Sequence, residues 1–116
     1  MKILITGCCG FVGFNFANFL AKSNKKMRII GIDNINNYYS VNLKKKRLKE
    51  LVKNKNFLFY KIDINHREKL EKLYKKYLFN CVFHFAAQAG VRYSFINPKA
   101  YIKNNISGFF NVFNLS

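Results

Sequence analysis

Apolar positions along the chain alternate between short unbroken runs and stretches of helical spacing. Lys2-Ile3-Leu4-Ile5-Thr6 is a strand-like run that stops at Gly7. From Phe11 to Lys22, Val12, Phe16, Phe19 and Leu20 recur with a helical period. Met27 to Ile32 is a second run rich in β-branched residues, closed by Asp33. An Asn- and Tyr-rich loop follows, and from Asn42 a helix carries Leu48, Leu51 and Val52 on one face. Phe57 to Ile62 reads as a third strand. Leu70, Leu73, Tyr74, Tyr77 and Leu78 fall on one stripe of a third helix. Asn65 and Glu68 have the spacing of a capping box, and Glu68/Lys72 and Glu71/Lys75 that of i,i+4 ion pairs. Cys81 to Phe85 is a fourth strand. Pro98 then opens a last helix bearing Ile102, Ile106, Phe109, Phe110 and Phe113.

The element order is therefore βαβαβαβα. Strands that are apolar throughout need cover on both faces, and strands separated by helices pair in parallel through right-handed crossovers. No linker, low-complexity tract or repeat divides the chain. It closes on Asn114-Leu115-Ser116 without a Gly or Pro stop signal, which reads as an end inside the last helix. On that reading the fourth strand presents an apolar edge that recruits other chains.

Composition narrows the function classes. A length of 116 residues suits one domain with its own core. An apolar fraction of 50% excludes a disordered tail. No apolar run reaches the roughly 18 residues of a membrane span, and the N-terminus makes a poor signal peptide, so a cytoplasmic location is expected. The formal charge of +16 invites a nucleic-acid or anionic-membrane partner. Yet Lys, Asn, Ile, Phe and Tyr, whose codons are all rich in A and T, supply 64 of the 116 residues. The run Lys44-Lys45-Lys46-Arg47 matches no nucleic-acid motif and reads as a solvated helix face. Neither a specific nucleic acid nor a membrane is expected as a partner. Cys8, Cys9 and Cys81 have no C-x-x-C or Cys/His spacing, so small buried thiols are expected rather than disulfides or a metal site. His66 reads as solvated, and His84 as a hydrogen-bonded core histidine.

The chemistry is concentrated in Gly7-Cys8-Cys9-Gly10-Phe11-Val12-Gly13. Glycines at intervals of three, directly after a strand and opening a helix, let the backbone turn sharply and approach a pyrophosphate. The helix N-terminus then offers free N–H groups to the anion. Asp33 ends the second strand, where a carboxylate would bond ribose hydroxyls and repel a 2′-phosphate, favouring NAD over NADP. The fold class expected is α/β, a Rossmann-like parallel sheet of order 3-2-1-4. The cofactor should lie at the C-terminal ends of strands 1 and 4.

These residues, with His84-Phe85-Ala86-Ala87-Gln88-Ala89-Gly90, resemble the extended short-chain dehydrogenase/reductases, specifically the NAD-dependent epimerase/dehydratase family. Gly31 to Lys44 and Ala87 to Ser94 are most similar to the UDP-glucuronate 4-epimerases. The resemblance covers the whole chain but only about the first third of such an enzyme. It implies that residues 1–116 are the N-terminal part of an NAD-binding domain. It also implies that Gly7, Gly10 and Gly13 form the pyrophosphate loop, followed by Phe11 and Val12, with Asp33 on the ribose. Asp63 and Ile64 would lie against the adenine, and Ala86, Ala87 and Gln88 beside the cofactor. Arg92 and Ser94 would face the sugar nucleotide, and Asn105 would support the site. In the complete enzyme, which the family implies is a homodimer, a UDP-sugar is oxidised at C4, rotated and reduced.

The family's Tyr-x-x-x-Lys pair is missing. None of the seven tyrosines has Lys four residues later, so no catalytic residue is assigned and activity of this chain alone is not expected. Two other classes remain open: a non-catalytic fragment with weak nucleotide binding, and a basic nucleic-acid-binding module.

Overall fold

A computed structural model describes residues 1–116. Strands β1 (Lys2–Thr6), β2 (Arg28–Asp33), β3 (Phe57–Lys61) and β4 (Cys81–His84) form one parallel sheet of order β3-β2-β1-β4. Helices α1 (Phe11–Ser23), α2 (Val41–Leu51) and α3 (Arg67–Tyr77) connect them. After β4 come α4 (Val91–Ile96), α5 (Pro98–Tyr101), a π-helical segment (Ile102–Gly108) and α6 (Phe109–Leu115). The expected order and fold class are those observed.

Strand periodicity divides the core in two. Ile3, Ile5 and Ile29 point to one face, with Ala17, Ala21 and Leu51 of α1 and α2. Leu4, Ile30 and Ile32 point to the other, with Leu70, Leu73 and Tyr77 of α3 and Val112 of α6. Only the central strands are buried along most of their length; all four residues of β4 are half-buried, because it is an edge of this sheet.

Several local expectations are corrected. α1 turns Val12 and Phe19 to solvent and packs on Gly13, Ala17 and Ala21 instead. Small residues spaced by four let the helix axis come close to the sheet, which matters more there than hydropathy. The capping box does not form: His66 holds the N-cap of α3, and the Asn65 side chain bonds Asp63 and Asn104. Glu71 pairs with Arg67 at 2.8 Å rather than with Lys75. Leu78 is an exposed left-handed C-cap. The segment read as a loop before Asn97 contains α4. Pro98 does open a helix, capped by the Asn97 side chain on the Ala100 N–H.

The last helix is reversed in its facing. Ile102, Ile106, Phe109, Phe110 and Phe113 are all exposed, while Gly108 and Val112 are buried. Asn104, Gly108, Asn111, Val112 and Leu115 make the inner stripe. Its asparagines reach polar partners, Asn104 with the Asn65 amide and Asn111 with the Ile64 carbonyl. Gly108 permits close approach, since a Cβ there would lie 2.5 Å from Ile64 Cδ1.

Candidate functional site

The strands end at a cavity lined by Gly7, Gly10, Ile32, Asp33, Ile62, Ile64 and Phe85–Ala89, together with the loop residues Asn34, Asn36, Tyr38 and Tyr39, Lys44 of α2 and Asn104. The glycines earn their places in different ways. Gly7 has φ +67°, and a Cβ on it would lie 2.6 Å from the Ala86 backbone nitrogen. A Cβ on Gly13 would lie 2.1 Å from the Gly7 carbonyl oxygen. Both are required by the protein's own backbone. A Cβ on Gly10 would lie 3.2 Å from the Gly7 carbonyl oxygen and 3.9 Å from the Tyr39 hydroxyl, a tight position but less crowded than the other two. Gly10 is also the N-cap of α1, which has neither a side-chain cap nor an acidic residue in its first turn. The N–H groups of Phe11, Val12 and Gly13 therefore have no intrahelical acceptor and form an anion-ready turn.

Asp33 is buried, yet lines the cavity. Its Oδ2 accepts from the Cys9 N–H at 3.0 Å and its Oδ1 from the Ile35 N–H at 2.8 Å. Each oxygen keeps a lone pair for a hydroxyl donor. The carboxylate thus ties the glycine turn to β2 and presents an acceptor to the cavity.

Thr6, at the end of β1, fixes the opposite wall. Its buried Oγ1 accepts from the N–H groups of Phe85 and Ala86, both at 3.1 Å. Its own proton is then left for His84 Nδ1 at 2.7 Å, which makes His84 the Nε2–H tautomer. Burial pushes the His84 imidazole below its ordinary value, which favours the neutral ring. Asn105 holds the next residue of the wall: Gln88 N–H donates to its Oδ1 at 2.7 Å, and its Nδ2 donates to the Gln88 carbonyl at 3.1 Å.

The remaining expected residues sit at varied distances from the cavity. Ile64, Ala86, Ala87 and Gln88 line it. Phe11 and Val12 are exposed side chains outside it, and Gly13 lies beneath it. Asp63 is one step removed, accepting from Asn65 and from the Asn34 side chain. Burial raises its carboxyl, but these hydrogen bonds together outweigh that and hold it below the usual range. Arg92 and Ser94 lie on α4 outside the lining, and the Ser94 hydroxyl donates to the Val91 carbonyl of its own helix.

The basic run predicts a solvated face for Lys44 and Arg47, but the fold turns both towards the site. Lys45 and Lys46 are exposed, but Lys44 is only 5% exposed and donates to Asn36 O at 3.0 Å and Asn36 Oδ1 at 2.7 Å. Burial pushes its ammonium below the usual range against the opposing pull of Asp33 and Cys9. Arg47 donates to the Cys9 carbonyl and to Tyr39 OH. Their i,i+3 spacing, which puts both on one face of α2, was the available signal.

The family model described as GDP-mannose 4,6 dehydratase matches residues 4–116. The chain belongs to this family. Among the chain's relatives, a UDP-glucuronate 4-epimerase of Thermodesulfobacterium geofontis is 44% identical over 112 residues, covering 97% of this chain and 34% of that protein. The CapI protein of Staphylococcus aureus is 47% identical over all 116 residues, again 34% of its length. A solved structure of the Bacillus cereus UDP-glucuronic acid 4-epimerase, in complex with UDP-glucuronic acid and NAD, superposes with a TM-score of 0.89 and 33% identity. It matches 99% of this chain and 36% of that one. The chain thus spans about a third of the length of the relatives it matches.

Proposed function

We propose that this chain is the NAD-binding portion of a sugar-nucleotide epimerase of the UDP-glucuronate 4-epimerase type. The observation that carries the reading is the Asp33 carboxylate, bonded to the Cys9 N–H and facing a cavity that Gly7 and Gly10 also line. The donor set fits a dinucleotide: free N–H groups of a helix N-terminus for the pyrophosphate and a carboxylate acceptor for ribose hydroxyls. Ile62, Ile64 and Ala86 give apolar wall for a base. The similarity to proteins solved with NAD and UDP-glucuronic acid supports the same assignment.

When bound, NAD supplies a hydride acceptor at its nicotinamide. The chain's residues bind and orient. The turn from Gly7 to Gly13 holds the anion, Asp33 disfavours a 2′-phosphate, and Thr6 and Asn105 keep the Phe85–Gln88 wall in place. In this reading Arg92 and Ser94 face the sugar nucleotide. The 116 residues hold no Tyr-x-x-x-Lys base, so their share of the reaction is cofactor positioning rather than proton transfer. The exposed apolar side chains of α4 to α6 suit the dimer proposed for the whole enzyme.

Titration of NAD against the purified chain, read by calorimetry, tests this. Saturable binding is expected, weakened by about 10-fold or more in Asp33→Ala, with NADP weaker than NAD. No saturable binding, or binding indifferent to Asp33, refutes it.

A further inference from the structure

We propose that Cys8, Cys9 and Asp33 form a binding site for a soft divalent cation of the zinc and cadmium class, whose occupation excludes a dinucleotide from the same turn. The adjacent cysteines have no metal-ligand spacing in the sequence. Their third partner comes from β2, brought alongside by the β1–β2 pairing. The two Sγ atoms and a carboxylate oxygen all lie within 4.8 Å of one another. Tetrahedral zinc with sulfur ligands at about 2.3 Å and oxygen at about 2.1 Å needs ligand separations of roughly 3.5–3.8 Å. From separations within 4.8 Å, a contraction of no more than about 1.3 Å brings these donors to that geometry.

The frame around the donors is set. The Cys8 N–H bonds the Ile32 carbonyl, and the Cys8 sulfur lies against Gly31, where a Cβ would come within 2.8 Å of it. The Cys9 N–H and Ile35 N–H hold the carboxylate, as outer partners commonly hold the ligands of a metal. Two thiolates and a carboxylate around a divalent cation leave one negative charge. Lys44 and Arg47 stand where they offset it: Asp33 and Cys9 act on the Lys44 ammonium, and Arg47 donates to the Cys9 carbonyl. The Cys9 side chain, burial and the Asp33 charge push the Cys8 thiol well above its ordinary range, so the free site holds thiols and the cation must displace their protons. Binding releases the two thiol protons to solvent as two metal–sulfur bonds form, so affinity rises with pH. Asp33, but neither cysteine, lines the cavity, so the carboxylate side is the one from which a fourth ligand would come. A carboxylate spent on the cation is lost to ribose hydroxyls.

The test is a cadmium titration of the reduced, metal-free chain, read by the thiolate-to-cadmium charge-transfer absorbance. One equivalent is expected to saturate the signal. Cys8→Ala and Cys9→Ala should each weaken binding at least about 10-fold, and Asp33→Asn less, while Cys81→Ala leaves it unchanged. A measurement that needs no variant is protection from iodoacetamide, mapped by mass spectrometry. Cys8 and Cys9 are buried and react only on local opening, so cadmium should slow their alkylation further and leave the rate at the half-buried Cys81 unchanged. Absence of the absorbance, binding that survives loss of both Cys8 and Cys9, or protection centred on Cys81 overturns the site. Adding NAD should raise the apparent Kd for cadmium about 10-fold, and an unchanged Kd overturns the exclusion. A chain that binds cadmium but never NAD, when metal-free, refutes the proposed function and leaves the cation site standing.

Discussion

Replacing Thr6 by Val probes the joint between β1 and the wall of the cavity. Valine has nearly the shape of threonine but neither donates nor accepts. The hydroxyl accepts from the Phe85 and Ala86 N–H groups and donates to His84 Nδ1. The Phe85 N–H keeps a second acceptor, the Thr6 carbonyl at 3.2 Å, so it is not orphaned. The Ala86 N–H and His84 Nδ1 are left without the partner they had. His84 and Ala86 are only half-buried, so each group left unsatisfied costs about 1–2 kcal/mol; less under about 1 kcal/mol for the added apolar contact, the expected net loss is about 2–3 kcal/mol. That is a large share of a typical domain stability of about 5–15 kcal/mol. It corresponds to a fall in Tm of roughly 8–12 °C at this length. Thr6→Ser keeps the hydroxyl and loses one methyl, so it should cost only about 1 kcal/mol. Urea unfolding of the parent and both variants measures the difference. Nitrogen NMR of His84 supplies a second readout, because the parent ring should be protonated at Nε2 alone. If Thr6→Val is as stable as Thr6→Ser, or His84 carries its proton on Nδ1 in the parent, the hydrogen-bond reasoning is wrong.

Three further outcomes are expected. Gly13→Ala places a methyl 2.1 Å from the Gly7 carbonyl oxygen, so the turn must shift. A loss of about 3 kcal/mol or more, with NAD binding abolished, is expected in unfolding and titration experiments, and a variant as stable as the parent would contradict the close approach. Burial holds the His84 pKa below 6.5, so between that value and the folded one the unfolded chain binds the extra proton; stability is full above about pH 6.5 and falls as the pH drops. His84→Asn should flatten this slope without changing the separate loss at lower pH, where Asp63, held below 3.8, takes up its proton; an unaltered slope in urea midpoints between pH 7.5 and 5 counts against it. Finally, the free side of β4 borders a groove lined by Val82, His84, Phe109 and Phe113, and the chain on its own is expected to self-associate there. A monodisperse, cooperatively melting monomer in light scattering and calorimetry would refute that.

Much of the architecture could be read along the chain. Strand runs, helical stripes and the Gly-x-x-Gly-x-x-Gly turn are local patterns, and the parallel sheet of order β3-β2-β1-β4 follows from their alternation. Hydropathy misled where packing is made by small or polar residues. The inner faces of α1 and of the last helix use Gly13, Ala17, Gly108 and Asn111, so their large apolar residues point outwards.

The order of elements, the glycine turn and the acidic end of β2 are legible in line, because each depends on neighbours within a few residues. The roles of Thr6, His84, Lys44, Arg47 and the Cys8–Cys9 pair emerge once the chain is folded. Most of their partners lie 24 to 80 residues away, while Lys44 reaches Asn36 and Arg47 also reaches Tyr39, each eight residues back in the loop. A lysine in a basic run and a threonine at a strand end look solvated or incidental when read in line. What makes one a buried clamp and the other the anchor of a cavity wall is parallel pairing, which gathers the C-terminal ends of separate strands at a single place.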